Sequence, residues 1–301
     1  MVEVPEIMKD DFWDKMDENK KFLAYDLDKC AYKKTYVAYI DILGYKNLIE
    51  SLHDDAPKII FKIVRDAVKF NEGLYKSIKL ILFSDSLIIW STGGEDIVNF
   101  LNLANVVNII RESFIKAGIF IRGGISFGDH FDFEDIIVSP ALIRSYLIES
   151  NYSIFPRIII DDQIYKKVMS EFIRLKNGVS GIPFQGMFRI LIPDGFYRDF
   201  DGKYILHPLL GISGVYFLFS GIGDWLPEDQ VTDEWKTELR NSGLSDLRRH
   251  REIIIKELFR NCNERERIKV QYLANQFNNI LLNLKSIDAP DRENLKIPFS
   301  I

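Results

Sequence analysis

The 301-residue sequence is poor in the side chains that build most redox and zinc centres, with two cysteines, Cys30 and Cys262, and four histidines, His53, His130, His207 and His250. The cysteines lie far apart and neither belongs to a paired-cysteine motif, so two free thiols in a reducing compartment are expected. The histidines are scattered and are expected on the surface. His53-Asp54 has the dipeptide of the His-Asp phosphohydrolases but lacks their further ligands. No segment approaches the ~20 apolar residues that span a bilayer. Met1 to Lys21 is rich in Asp, Glu and Lys and has no apolar core of a signal peptide. The expectation is a cytoplasmic protein with no membrane contact. Basic charge is not in surplus either: 39 Lys and Arg against 44 Asp and Glu give a net charge of -5. That balance argues against nucleic-acid binding but permits a small anionic substrate held by a local cation.

What remains is an ordinary globular composition, 47% hydrophobic and 28% charged. Residues 1–33 read as an acidic lead-in, with a short helix around Asp11 to Lys20. Tyr36 to Gly44 is an apolar strand ending in a turn. A short helix from Tyr45 to about Leu52 follows. A second begins near Pro57, carries Ile60, Ile63, Val64, Ala67 and Val68 on one face, and ends at Gly73. Ile78 to Phe83 and Ser86 to Trp90, split by Ser84-Asp85, form a β-hairpin. A long helix bears Ile97, Phe100, Leu101, Ala104, Val107 and Phe114, and Gly118 stops it. Then come a strand over Ile119 to Gly128, a helix from about Pro140, and a strand over Pro156 to Ile160. Ile182 to Phe217 reads as further strands around a turn at Asp199 to Gly202. From Pro227 the pattern is two long helices, and Pro290 and Pro298 mark a loose tail.

This order predicts an α+β sandwich, a mostly antiparallel sheet covered by helices. Three segments are expected: the lead-in at 1–33, a catalytic domain at 34–217 and a helical C-terminal extension at 218–301.

Asp41 is a carboxylate inside the buried run Tyr39-Ile40-Asp41-Ile42-Leu43-Gly44, and a buried charge demands a partner. It either caps the helix at Tyr45 or binds a cation. Asp85 is either ordinary turn chemistry or the second half of a pair. If the hairpin lies beside the first strand, both carboxylates reach one sheet edge, where they repel unless a cation lies between them. Mg²⁺ and Mn²⁺ bind through one or two carboxylates plus substrate phosphates. Arg122-Gly123-Gly124 offers a guanidinium and a close-approach backbone suited to phosphate, or else a structural ion pair. Tyr39 shares a strand face with Asp41 and could stack on a base. Ser139 and Arg144 flank a helix start that could meet phosphate. A P-loop, a Gly-x-Ser-x-Gly elbow and zinc-ligand spacings are all missing. Gly93-Gly94-Glu95-Asp96-Ile97 matches the cyclic-dinucleotide synthase signature but opens a helix instead of tipping a hairpin.

Together, Tyr39 to Tyr45, Phe83-Ser84-Asp85-Ser86 and Ile121 to Gly128 resemble the class III nucleotidyl cyclases, in order and spacing, through about Asp162. The chain is most similar to one branch, the bacterial pyrimidine cyclases of the Pycsar anti-phage systems. Phe-Ser-Asp, Arg-Gly-Gly-Ile, Pro140-Ala141-Leu142-Ile143 leading to Tyr146 and Glu149, and Phe155-Pro156-Arg157-Ile158 carry that likeness. The resemblance implies a homodimer with sites between two chains. It also implies two Mn²⁺ or Mg²⁺ ions per site, held by Asp41, Asp85 and the carbonyl of Ile42. The product would be cyclic CMP or cyclic UMP, made from CTP or UTP on phage infection and read by a separate effector. Ile81 stands where purine cyclases place a base-reading lysine, which favours a pyrimidine. The family's Asn-x-x-x-Arg pair is altered, since Pro140 precedes Arg144 at that spacing. The alternatives are a purine cyclase and an inactive cyclase-like module for nucleotide binding or dimerisation.

Overall fold

A computed structural model of the chain describes residues 30–69, 77–133, 136–176, 195–209, 232–260, 263–284 and 287–298. Its centre is a sheet of eight strands. They are β1 (Lys33–Ile42), β2 (Ile78–Phe83), β3 (Ser86–Ser91), β4 (Ile121–Phe133), β5 (Ile136–Val138), β6 (Ile158–Ile160), β7 (Phe196–Arg198) and β8 (Tyr204–Leu206). The order is β2-β3-β1-β4-β6-β8-β7, with β5 paired to β4. Every ladder is antiparallel except β4–β6. The chain is therefore the expected α+β protein, a mostly antiparallel sheet covered by helices.

Strand alternation divides the sheet into two unlike faces. Tyr36, Ala38, Ile40 and Ile42 of β1, Leu87 and Ile89 of β3, and Ile121 and Ile125 of β4 point one way into the main core. There they meet α2 (Ala56–Lys69), α3 (Ile97–Lys116) and α5 (Asp162–Lys176). Short α1 (Tyr45–Leu52) follows β1, entered through Gly44 at φ 72°, a left-handed conformation that favours glycine. Asp96 caps α3, its side chain accepting from Val98 N.

The opposite face carries Val37, Tyr39 and Asp41, and α4 (Pro140–Tyr152) lies across it. Ser139 caps α4 and Pro140 opens it. The buried residues of α4 are Ala141, Ser145 and Glu149, spaced by four. Ser126 Oγ donates to Ala141 O at 2.5 Å, and a Cβ added at Gly124 would sit 2.4 Å from Ser145 O. Four helical residues rise about 6 Å and two strand residues about 6.6 Å, so the two elements stay in step. Gly124 makes this approach possible, and α4 thereby brings Glu149 down to Arg122.

The C-terminal part is helical, as expected: α6 (Asp233–Leu258), α7 (Glu264–Asn283) and α8 (Ala289–Leu295). They form a second core with Leu209, Phe120, Phe155 and Tyr197. The junction is polar at its centre. Buried Arg157 is ion-paired to Asp199 and, at 2.6 Å, to Asp201, while the Tyr272 hydroxyl donates to Asp199 Oδ2 at 2.6 Å.

Several expectations need correction. His130, His207 and His250 are 3%, 4% and 9% exposed and are not surface residues. Burial pushes the imidazoles of His207 and His250 down to about 3, so both are neutral core groups. The tail is not loose around Pro290: it begins α8, and Leu295 and Ile297 are buried. The strand before Ile160 starts at Ile158, not Pro156, and β4 runs on to Phe133. Gly202, at φ 79°, closes the expected turn between β7 and β8. The lead-in helix, Gly73, Cys262 and most of Ile182 to Phe217 lie outside the described residues.

Gly124→Ala would force α4 off the sheet and is expected to cost about 1–3 kcal/mol. Gly128→Ala, whose Cβ meets Ala141 at an ordinary 3.6 Å, serves as the control. Urea unfolding of both variants measures the difference.

Candidate active site

The site forms where β1 ends against the β2–β3 hairpin. Ile42 N donates to Asp85 O at 2.9 Å, which fixes the hairpin turn beside the last residue of β1. Ser84 holds φ 55° to make that turn. Asp41 faces Ser86 on β3 and Arg122 on β4 in register. Asp41 is not a helix cap, because the N-cap position of α1 is Gly44 and no side chain caps it. Its partner is Arg122, whose Nε donates to Asp41 Oδ2 at 2.8 Å.

The same Nε lies 2.8 Å from Glu149 Oε1. That second contact is ionic only: Oε1, buried, sits off the N–H axis and has no hydrogen-bond partner among the described residues. Arg122 Nη1 donates to Ser153 O at 3.2 Å. The guanidinium is thus held between two acids and a carbonyl.

The electrostatics show how crowded this corner is. Burial raises the Asp41 pKa, Arg122 pulls it back, and the negative charge of Asp85 pushes it up again. Glu149 is likewise raised by burial, offset by Arg122 and raised further by Asp41 and Asp85. Three carboxylates share one corner with a single guanidinium between two of them.

Tyr39 lies on the same face, its hydroxyl 2.7 Å from Ser86 Oγ and its ring edge-on to Tyr146 at 5.3 Å. Ser86 Oγ in turn donates to Asp85 Oδ1 at 3.4 Å. Ile81 faces Ile88, and Ile88 faces Tyr39, so Ile81 belongs to the same sheet face, two strands across. It packs against a small cluster around Val37, Trp90 and Ala141.

Arg144 is not brought to this corner of its own chain. Its Nε pairs with Asp161, whose backbone N donates to Ile125 O, three residues along β4 from Arg122. That is about 10 Å away at ordinary strand rise. Ser139 is spent as the α4 cap and contacts His130 Nδ1 at 2.9 Å.

The donor chemistry fits a hard divalent cation. Asp41 and Asp85 supply carboxylate oxygens at one sheet edge, and the charge of Asp85 disfavours that of Asp41 unless a cation intervenes. Among the described residues no group of three or more His, Cys, Asp or Glu side chains forms a closed cage. An open two-carboxylate site, completed by backbone carbonyl, water and phosphate, is the arrangement Mg²⁺ and Mn²⁺ accept.

Two neighbours of Asp41 were given no role in the sequence reading. Glu149 carried a signal, the four-residue spacing Ala141, Ser145, Glu149 that places small residues over Gly124 and an acid over Arg122. Lys269, on α7, feels the charges of Asp41 and Arg122, and no local pattern marks it.

Arg122→Met should leave Asp41 and Glu149 without a cation. The expected loss is about 2–3 kcal/mol, below the ~3–5 kcal/mol of a fully buried pair because Asp41 and Arg122 keep some solvent. Both carboxyl pKa values are already raised in the fold, so the native state binds their protons more tightly than the unfolded chain. Their contribution therefore falls as pH rises through that window, which the variant widens upward. Its deficit should be largest with both carboxyls ionised and shrink as pH falls through their titration, measured by chemical unfolding at each pH.

No protein-family model and no curated protein matches this chain. Among solved structures, the adenylyl cyclase CyaB from P. aeruginosa is similar over 46% of this chain and 82% of its own, at 15% identity and a TM-score of 0.37. The dimeric guanylyl cyclase domain of the RhoGC fusion protein from the aquatic fungus Blastocladiella emersonii is similar over 46% and 85%, at 16% identity and 0.37. A class III adenylyl cyclase-like ATP-binding protein from Pseudomonas aeruginosa is similar over 47% and 37%, at 13% identity and 0.36.

Proposed function

We propose that this chain is a nucleotidyl cyclase that converts a pyrimidine nucleoside triphosphate, CTP or UTP, into its 3′,5′-cyclic nucleotide and pyrophosphate. The observation that carries the reading is the meeting of Asp41 and Asp85 at one sheet edge, fixed by the Ile42–Asp85 backbone bond. Tyr39 and Ile81 share the face beside them. The catalytic part would span residues 34–217, preceded by a lead-in at 1–33 and followed by a helical extension at 218–301.

Asp41, Asp85 and the carbonyl of Ile42 would hold two Mg²⁺ or Mn²⁺ ions. Such ions, when bound, lower the pKa of a ribose 3′-hydroxyl and stabilise negative charge on a departing pyrophosphate. In the reaction the 3′-oxygen bonds to the α-phosphorus and loses its proton, while the bond from that phosphorus to the β-phosphate oxygen breaks. Arg122 keeps Asp41 oriented through its Nε and sets a fixed positive charge beside the phosphates. Tyr39, braced by Ser86 and Tyr146, would pack against the base. Ile81 offers no polar group to a purine edge and, with Tyr39, would favour a one-ring base. Arg144 would reach phosphate only from a second copy of the chain.

A homodimer is part of this reading. Phe83, Ile143, Tyr146 and Leu147 are 74%, 61%, 48% and 47% exposed, on the hairpin and α4 that border the site. Apolar side chains collected at one edge favour a covering partner. In a cell the product would act as a messenger in anti-phage defence through a separate effector.

Products from an equimolar mix of ATP, GTP, CTP and UTP with Mn²⁺, separated by chromatography, should be mainly cyclic CMP or cyclic UMP. Mainly purine product overturns the base assignment, and no cyclic product overturns the whole reading. Asp41→Ala and Asp85→Ala should each abolish turnover with circular dichroism unchanged; near-normal activity in either would refute the metal assignment. Specific activity should fall on dilution below the dimer dissociation constant, and a monomer active under light scattering would count against the shared site.

A further inference from the structure

A cavity of about 360 Å³ adjoins the candidate site, and its walls come from opposite ends of the chain. One wall is the turn directly after Asp41, with Leu43, Gly44 and Asn47 of the first helical turns. The other is the end of α6 and the start of α7, with Glu257, Arg260, Glu266, Lys269 and Val270.

That second wall is anchored on both sides. Asn47 Nδ2 donates to Glu266 Oε1 at 3.3 Å, linking α1 to α7. Val270 and Leu273 are buried in the second core. Tyr272 donates to Asp199 at 2.6 Å and stacks on Phe155 with ring centroids 4.5 Å apart. Lys269 therefore projects from a fixed backbone, on the helical face that Glu266, Val270 and Leu273 share with it. Its ammonium lies within the fields of Asp41 and Arg122.

We propose that Lys269, delivered by the C-terminal helix α7 to the Asp41 corner, is a triphosphate-binding residue of the same protomer's site. The inference rests on the cyclase reading for the identity of the ligand. Its basis is charge balance. Asp41, Asp85 and Glu149 against Arg122 and Lys269 leave the corner with one net negative charge. Two bound dications would turn it strongly positive and place Lys269 among like charges. The four negative charges of an ionised triphosphate restore the balance, so a cation here becomes favourable only when a polyanion arrives. Burial and Arg122 hold the Lys269 pKa below the usual lysine range, against the opposing pull of Asp41 and Glu266. A lysine suits this position because its compact charge rides on a flexible stem and can follow the phosphates. The C-terminal extension would then complete the substrate site in addition to packing against the sheet.

The test measures binding of the unreactive probes 3′-deoxy-CTP and 3′-deoxy-ATP with Mn²⁺, alongside turnover of CTP and UTP. Lys269→Met should weaken triphosphate binding roughly tenfold, as expected for loss of a charged phosphate contact. Lys269→Arg should largely restore it, and binding of 3′-deoxy-CMP should change little. Lys269→Gln provides a second charge-removing variant if Lys269→Met melts early. Equal triphosphate affinity in wild type and a folded charge-removed variant overturns the Lys269 assignment while leaving the cyclase reading standing. Lys269-dependent binding without any cyclic product overturns the cyclase reading and leaves Lys269 in place. No triphosphate binding by wild type overturns both.

Discussion

The cross-strand pair of Asp41 and Arg122 is the constraint around which this protein is arranged. A carboxylate at the end of a central strand, on a sheet whose other face is the main core, costs more than turn chemistry can offset unless a cation faces it. Arg122 does so from the neighbouring strand at 2.8 Å, directly opposite Asp41 in the ladder register. Satisfying Asp41 creates a second demand, because a half-buried guanidinium has donors left over. The carbonyl of Ser153 accepts from one of them and Glu149 adds a second ionic contact at Nε, and both come from α4 and its C-terminal end. For α4 to reach that far it must lie close to the strand, which is why β4 carries Gly124 where Ser145 passes. The pair, the glycine and the helix form one solution.

That solution leaves the corner acidic. Arg122 cannot neutralise Asp41, Glu149 and Asp85 together; burial raises the Asp41 and Glu149 pKa values, and the neighbouring carboxylates add to it. A corner with this charge balance favours a cation on electrostatic grounds. The same surplus accounts for the chain's tolerance of Lys269 nearby. At the junction with the C-terminal helices, buried Arg157 is paired with Asp199 and Asp201, and Tyr272 adds a hydrogen bond to the same cluster. That junction couples the C-terminal helices to the strand end at Ile158, so a polar knot fixes where α7 runs. A rigid α7 in turn fixes the cavity beside the Asp41 turn.

The local signals in the sequence were strong where periodicity was clean. β1, the β2–β3 hairpin, α3 and the two long C-terminal helices follow directly from apolar spacing, from Ser84-Asp85 and from the stop at Gly118. His130, His207 and His250 escaped the sequence because burial of a neutral imidazole depends on the elements that surround it, and composition carries no trace of that. The Pro290 boundary was misread for a similar reason: proline opens a helix as readily as it marks a tail, and only Leu295 and Ile297 entering the core distinguish the two. Of the corner itself, Asp41 and Asp85 stood out as charges in apolar or turn contexts. Arg122 stood out beside its glycines, although its guanidinium turned out to bind acids.

By itself, then, the sequence determined an α+β chain with two carboxylates in positions that invite a cation, since strand alternation and turn chemistry are encoded within a few residues. Tertiary structure alone decided which charges meet. Asp41 and Arg122 are 81 residues apart, and Arg157 and Asp199 are 42. Lys269 comes from still further along the chain to the edge of the same corner. Contacts over such distances depend on strand register and on helices docking through glycine, and those are properties of the packed sheet.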